Sequence, residues 1–526
     1  MANCPSIFND VIGPVMRGPS SSHCAASLRI GRICRDLMDA ELTNVLIEFD
    51  PKGSLATTHE SQGSDMGLFG GFLGWEAYDE RLVTAVDEIK AARINVDIEI
   101  LDIQATHPNT YKLTLTNTKE KHELTAISVG GGMIDVIKVD GNEVSMEGDY
   151  FETLIYCSEL GSVSKFIEKF IPNESVKFLD GDIKFFQIKS NAFPSDDIQQ
   201  MLTELKEVQA VKYISPVLPV LSRNELKVPF NTCEKMLAYN SDKYLELWEL
   251  AVHYESARGN ISHDAVFFKM GEIVDVMESS IQSGLKGTQF KDRILGAQSV
   301  VFKEKLEANN LLKGDMMNTI IMFVSSMMEV KSSMGIIVAA PTAGSCGALP
   351  GAIIGAASVL KLKREETIKA MLAASMIGVF IAAHATFAAE VGGCQAECGS
   401  GAGMAAAALV FMAGGSLQQS LSAASIALQN SLGMICDPIA NRVEAPCLGK
   451  NVLAATNALS CANMALANYD HLIPLDEVID TMDKVGKAID TDLRCTALGG
   501  LSITKTAKEI EAKLGEVNSG LVFKNC

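Results

Sequence analysis

Basic side chains are in short supply. The 526 residues include 64 Asp and Glu against 45 Lys and Arg, a formal net charge of −19. A nucleic-acid binder needs clustered Lys and Arg to neutralise phosphates, and a polybasic membrane-surface protein needs them for anionic lipids. Neither class is expected. Aromatic residues make up only 6% of the chain, with two Trp, and there are only eight His. The opening residues, Met-Ala-Asn-Cys-Pro-Ser-Ile, lack the basic start and apolar run of a secretory leader. No Cys-x-x-Cys pair occurs, so the spacing of a zinc ribbon or a dithiol redox motif is missing. No lysine stands in a phosphate-cradling context, which argues against a pyridoxal-phosphate enzyme.

Cysteine, by contrast, occurs 13 times. The cysteines are thinly spread and odd in number, unlike a small disulfide scaffold. A reducing cytoplasm is the expected setting, where clustered thiols bind metal or do chemistry. Cys394, Cys398, Cys436 and Cys447 lie near Gly or Pro, where backbone turns can aim a side chain. Cys34, Cys157, Cys233 and Cys461 fall at helix or strand positions and are expected to be plain core or surface residues.

The chain reads as multidomain. Residues 1–148 mix strand and helix signals, with strands at 45–49, 96–100 and 111–115 and helical patterns near 24–38 and 65–74, giving an α+β N-terminal domain. Residues 149–225 form a small ferredoxin-like module, read as strand, helix, strand, helix, strand. The stretch from Pro216 to Pro229 reads as a linker. Residues 226–526 are rich in Ala, Met, Gly and Leu and read as a large all-α C-terminal domain with a short polar tail. Within it, Ala370–Ala389 imitates a membrane span in length and apolarity, but lacks Trp and Tyr at its ends. A buried helix of a helical core is expected instead, so no membrane association is assigned.

Three of the histidines sit in polar or turn-rich loops: Ser20-Ser21-Ser22-His23, Thr58-His59-Glu60 and His107-Pro108-Asn109. Imidazole titrates near neutrality and suits proton transfer. The Ser run before His23 leads into an apolar-periodic stretch. Hydroxyls and N–H groups at such a loop-to-helix junction can hold a carboxylate or phosphate.

Gly18-Pro19-Ser20-Ser21-Ser22-His23, His59, His107-Pro108-Asn109 and Ser128-Val129-Gly130-Gly131-Gly132 together resemble the N-terminal half of the iron–sulfur-dependent L-serine dehydratases, or L-serine ammonia-lyases. The resemblance continues through Ala340-Pro341-Thr342-Ala343-Gly344, Gly393-Cys394-Gln395-Ala396-Glu397, Cys436-Asp437-Pro438, Val443-Glu444-Ala445-Pro446-Cys447 and Cys495-Thr496-Ala497-Leu498-Gly499-Gly500. It spans nearly the whole chain, in the form that fuses the beta and alpha parts. It implies a [4Fe–4S] cluster held by Cys394, Cys436 and Cys447, which stand 41 and 10 residues apart as in the family. Cys526 would cap the cluster's fourth iron. It also implies His107 as the base that takes the α-proton, with His59 in support. Ser20, Ser21, Ser22, His23, Asn109, Thr342 and Gly344 would bind substrate. The middle module would be of the ACT type. The implied setting is a cytoplasmic homodimer acting on a small-molecule amino acid.

Three departures stand out: Cys24-Ala25-Ala26 after the Ser-rich loop, Glu60-Ser61-Gln62 after His59, and Lys450 where an Arg is usual before Asn451. The same elimination on another β-hydroxy acid, or a cluster-bearing amino-acid sensor, therefore stays open. Against the sensor, clusters used only for electron transfer or sensing usually have four protein thiolates.

Overall fold

A computed structural model describes residues 4–223, 226–291 and 293–518. The chain divides into two compact units. One comprises Ser22–Glu60 and Ser64–Lys227; the other comprises Met1–Ser21, Ser61–Gly63 and Val228–Cys526.

The first of these is built on two sheets. A six-stranded sheet runs in the order Asn95–Ile100, Asn44–Phe49, Thr110–Thr116, Lys121–Gly130, Met133–Val139, Asn142–Met146. Only its first pair is parallel; the others are antiparallel. Along Lys121–Gly130 buried and less buried residues alternate, the period-two mark of a sheet with one covered face. Helix Ala26–Leu37 packs on that sheet and against helix Ser64–Phe72. The helices approach closely because small residues line the seam: a Cβ on Gly71 would lie 2.3 Å from the Leu28 carbonyl oxygen.

The second sheet, Val208–Ile214, Phe151–Cys157, Lys184–Ser190, Ser175–Asp180, is wholly antiparallel. Helices Leu160–Phe170 and Asp196–Thr203 complete a β-α-β-β-α-β order around Ile155, Val163, Ile167, Phe186, Ile188 and Leu202. This is ferredoxin-like connectivity. It has one strand more than the sequence pattern suggested. Ser175–Asp180 escaped notice because it is an edge strand, half exposed along its length.

A charged network joins the two sheets within this unit. Lys212, almost fully buried, bonds Asp39 at 2.8 Å and Glu120 at 2.7 Å. His122 Nδ1 lies 2.7 Å from Asp140, whose same oxygen accepts the Tyr156 hydroxyl at 2.7 Å. A buried charge is tolerated when paired and hydrogen-bonded in this way.

The other unit is helical. Its helices include Leu247–Gly259, His263–Gly284, Asp315–Ser332, Ala348–Leu360, Arg364–His384, Ser400–Met412, Leu417–Gln429 and Cys447–Leu466. Among the described residues its only strands are Val15–Met16 and Ile337–Val338, paired antiparallel. Ser400–Met412 reads Ser-Gly-Ala-Gly-Met-Ala-Ala-Ala-Ala-Leu-Val-Phe-Met and is buried over nearly its whole length. Apolar small residues on all sides are what a helix surrounded by others requires. Arg364–His384 is long and apolar enough to cross a membrane, yet 78% of its most apolar window is buried by the protein. The expected core helix is what the fold contains.

The N-terminal segment is anchored in this helical unit. Glu255, fully buried, accepts the Ser6 hydroxyl at 2.5 Å and the Ile7 N–H at 2.7 Å. Tyr254 donates to the Pro5 carbonyl at 2.9 Å.

Candidate active site

The covered face of the six-stranded sheet ends in a polar patch. Asn109, in the turn just before strand Thr110–Thr116, stands beside Ser128 of the neighbouring strand, whose N–H donates to the Asn109 carbonyl at 3.0 Å. Both side chains are fully buried. Neither the Asn109 amide nor the Ser128 hydroxyl has a hydrogen-bond partner. Buried polar atoms are almost always paired, so two unpaired ones side by side mark a place where a polar ligand can sit.

His23, His59 and His107 belong to the same unit as that patch. His59 rests on the Phe49 ring at 5.2 Å, and Phe49 meets Tyr111 edge-on at 5.6 Å. The His59 Nδ1 lies 2.8 and 2.9 Å from the two oxygens of Asp65. Burial lowers the His59 pKa, but the Asp65 hydrogen bond and charge, with Glu60, outweigh it and raise it overall. An Nδ1 facing a carboxylate carries its proton there, which leaves Nε2 with the lone pair. His107 has the opposite arrangement. Its Nδ1 accepts the Asn109 N–H at 3.2 Å, so the neutral ring carries its proton on Nε2. Burial lowers its pKa. His23 is fully buried with Nε2 at 2.8 Å from the Thr58 hydroxyl. Burial, then the charge of His59, push its pKa down to about 3, so it acts as a neutral ring.

Ser20, Ser21 and Ser22 are all buried. Ser21 belongs to the helical unit, where its hydroxyl oxygen accepts the Ala343 N–H at 3.1 Å. Thr342, one residue earlier, donates to Glu397 at 2.7 Å and lies 3.1 Å from the Ser345 hydroxyl. Gly344 is needed beneath that carboxylate, because a Cβ there would meet both Glu397 oxygens within 2.9 Å. Burial above all, then the Glu390 charge, raise the Glu397 pKa to about 7. Nothing in the sequence reading singled out Glu397 beyond its place in a motif. Its signal was a carboxylate in an otherwise uncharged run.

The cysteines come from three segments. Cys394 ends the turn after Ala389–Gly392, Cys436 lies in the loop after Leu417–Gln429, and Cys447 opens the helix Cys447–Leu466. All three are buried. Cys394 and Cys436 share an apolar cluster with Cys495 and Met434. Cys436 hydrogen-bonds with Cys394 and Cys495, and these bonds with burial raise its pKa. Burial, then the nearness of Cys394, raise that of Cys447.

Asn451, one turn into the helix, locks this region. Its Oδ1 accepts the N–H groups of Gly347 and Ala348 at 3.2 and 2.9 Å, and its Nδ2 donates to the carbonyls of Gly344 and Cys447 at 2.8 and 2.9 Å. Cys398, which the family spacing leaves out, lies 3.7 Å from the same Nδ2. The buried Lys331 donates to the Val443 carbonyl.

Among the described residues no three His, Cys, Asp or Glu side chains converge closely enough to hold one metal ion. An iron–sulfur cluster makes no such demand, because each iron takes its own thiolate. The donor set here, three buried thiols, is the kind that suits iron–sulfur chemistry. Cys526 lies outside the described residues.

Comparison with known proteins gives consistent matches. A family described as "Serine dehydratase alpha chain" matches residues 242–502. A Bacillus subtilis protein named "Probable L-serine dehydratase, alpha chain" is 36% identical over 285 residues, 54% of this chain and 95% of that protein. The Bacillus subtilis "Probable L-serine dehydratase, beta chain" is 34% identical over 218 residues, 40% of this chain and 98% of that protein. "L-serine dehydratase 1" of Escherichia coli is 30% identical over 289 residues, 53% of this chain and 63% of that protein.

Proposed function

The chain belongs to the L-serine dehydratase family, and from that premise we propose that it converts L-serine to pyruvate and ammonia with a [4Fe–4S] cluster held by Cys394, Cys436 and Cys447. The observation that carries this reading is that Cys394 and Cys436, from separate segments, share one buried cluster, with the buried Cys447 close enough to Cys394 to feel its charge. When bound, such a cluster supplies a Lewis-acidic iron that draws electrons from the substrate's β-hydroxyl.

The side chains do the rest. Elimination needs a base aligned with the α-proton. The sequence resemblance favoured His107 for that task, with His59 in support. Hydrogen bonding favours the reverse assignment. His59, its Nδ1 proton held by Asp65, has the unprotonated Nε2 that can take the α-proton. His107, with its proton on Nε2, can hydrogen-bond the departing hydroxyl, and the proton taken up by His59 balances the one with which that hydroxyl leaves as water. The remaining enamine shifts its double bond to an imine, and water hydrolyses it to pyruvate and ammonia.

Asn109 and Ser128 offer unspent hydrogen bonds to the ammonium and carboxylate of the substrate. The hydroxyls of Ser20, Ser21 and Ser22 would add donors for the carboxylate. Thr342 and Gly344 place the Glu397 carboxyl. The middle module is read as ACT-like, supported by its strand order. A cytoplasmic homodimer remains the expected setting.

Anaerobic purification tests the reading. The protein is expected to be brown, to form pyruvate from L-serine, and to lose both properties in air and in Cys394→Ala, Cys436→Ala and Cys447→Ala. A colourless, air-stable but active protein would overturn the cluster. A brown protein inert toward serine would overturn the substrate.

A further inference from the structure

Lys450 is the least expected residue near the thiols, since its relatives' pattern has Arg there. Its side chain is 16% exposed, and its three N–H donors have three acceptors. They are the Ile435 carbonyl at 2.7 Å, Asp437 Oδ1 at 2.7 Å and Cys394 Sγ at 3.8 Å. The partners come from two segments of the thiol site. Ile435 and Asp437 flank Cys436, Cys394 is itself a proposed ligand, and Lys450 sits one turn after Cys447 on the same helix. The other oxygen of Asp437 accepts the Leu501 N–H at 2.9 Å, which carries the tie into the segment after Cys495. That segment turns at Gly500 (φ +60°), where a Cβ would strike Asp437 at 2.6 Å.

We infer that Lys450 is the residue that gathers the three thiolate ligands and tunes the cluster by donating a charged hydrogen bond to the sulfur of Cys394. This rests on the cluster reading above. Two physical effects follow. A cation at a thiolate offsets negative charge, so the one-electron reduced cluster is favoured and the midpoint potential rises. The same cation holds electron density on the ligand sulfur and slows loss of iron. Lys450 touches neither substrate nor the reacting atoms, so it is a positioning residue.

The test uses the full chain, loaded anaerobically with iron and sulfide, as wild type, Lys450→Arg and Lys450→Met. Iron and sulfide per chain, the visible absorption band, the midpoint potential by EPR-monitored titration and the cluster half-life under an iron chelator are measured. Lys450→Met is expected to shift the potential downward and to shorten the half-life about tenfold or more, the usual loss on removing an outer-shell partner. Lys450→Arg, which keeps charged donors, is expected to stay near wild type. Should Lys450→Met fail to fold by circular dichroism, Lys450→Gln, a neutral donor, replaces it and is expected to show the same downward shift. Equal potentials and half-lives in wild type and the neutral variant would overturn the inference. A wild-type chain that takes up no iron and sulfide would instead overturn the cluster reading itself.

Discussion

Two asparagines in this protein are equally buried and oppositely employed. Asn451, in the helical unit, spends both ends of its amide on backbone groups of the 344–348 stretch and of its own helix. Asn109, in the sheet unit, has an N–H on its main chain engaged and a side chain with no partner at all. The first is a fastener, since every hydrogen bond it can make serves to hold the thiol loops. The second is held by its main chain and leaves its amide for something else. The same contrast runs through the histidine and cysteine groups. The thiol region is closed by its own contacts, whereas the histidine patch keeps donors and acceptors in reserve.

The sharpest way to break this comparison is at His59. His59→Asn is expected to lower kcat by about 10²- to 10⁴-fold, the usual contribution of a general base, with little change in urea stability. An unchanged kcat would remove the sheet patch from the chemistry.

The asparagines themselves come next. Asn451→Ala strands the Gly347 N–H and the Gly344 carbonyl in the interior, each costing about 1–3 kcal/mol. A loss of about 3 kcal/mol or more is expected by urea denaturation. Asn109→Ala removes groups that have no protein partner, so stability should change by less than about 1 kcal/mol while the KM for serine rises. If the two variants destabilise alike, the contrast is wrong.

A third test uses pH. His59 must be neutral to act as base, so activity should fall as pH drops through its pKa, which lies above 6.5. Asp65 is what raises that pKa, so Asp65→Asn should move the acidic limb of kcat/KM to lower pH. A limb that stays in place would assign the titration to another group.

The smallest effect concerns His122. Burial opposes its charge, but Asp140 and Glu120 outweigh that and raise its pKa above 6.5. A group whose pKa is raised on folding adds stability that is fully present below the unfolded pKa and is lost as pH rises through the folded one. His122→Gln should therefore cost on the order of 1–2 kcal/mol near pH 6 and flatten the stability profile above it. A profile identical to wild type would show that the buried network stands without the imidazolium.

Much of this was legible in the chain itself. Composition separated the helical part from the strand-bearing part, because Ala, Gly and Met in helical periods have few other uses. Alternation located most strands of the first sheet. The family resemblance implied Cys394, Cys436 and Cys447 among the thirteen cysteines, and Cys394 and Cys436 share one buried cluster. Partnerships were harder to read. Asp65 is only six residues from His59, yet the turn that brings them together is not written in either residue. Asn451 reaches a loop more than 100 residues away, and Lys450 was visible only as a departure from a pattern. The division of labour between two histidines depends on which ring nitrogen faces which neighbour, a matter of angles that no residue spacing encodes.

The N-terminal segment has a consequence for how the chain could be divided. Val15–Met16 pairs with Ile337–Val338, and Ser6 and Ile7 close over Glu255. A cut in the loop near residue 220 would separate these partners in the covalent sense only. Neither fragment would be a finished body: the larger would lack a strand and a buried cap, and the smaller would carry both as a loose arm. The two pieces would have to recombine to recover the native interior, so fragment complementation, rather than domain excision, is the behaviour this architecture prescribes.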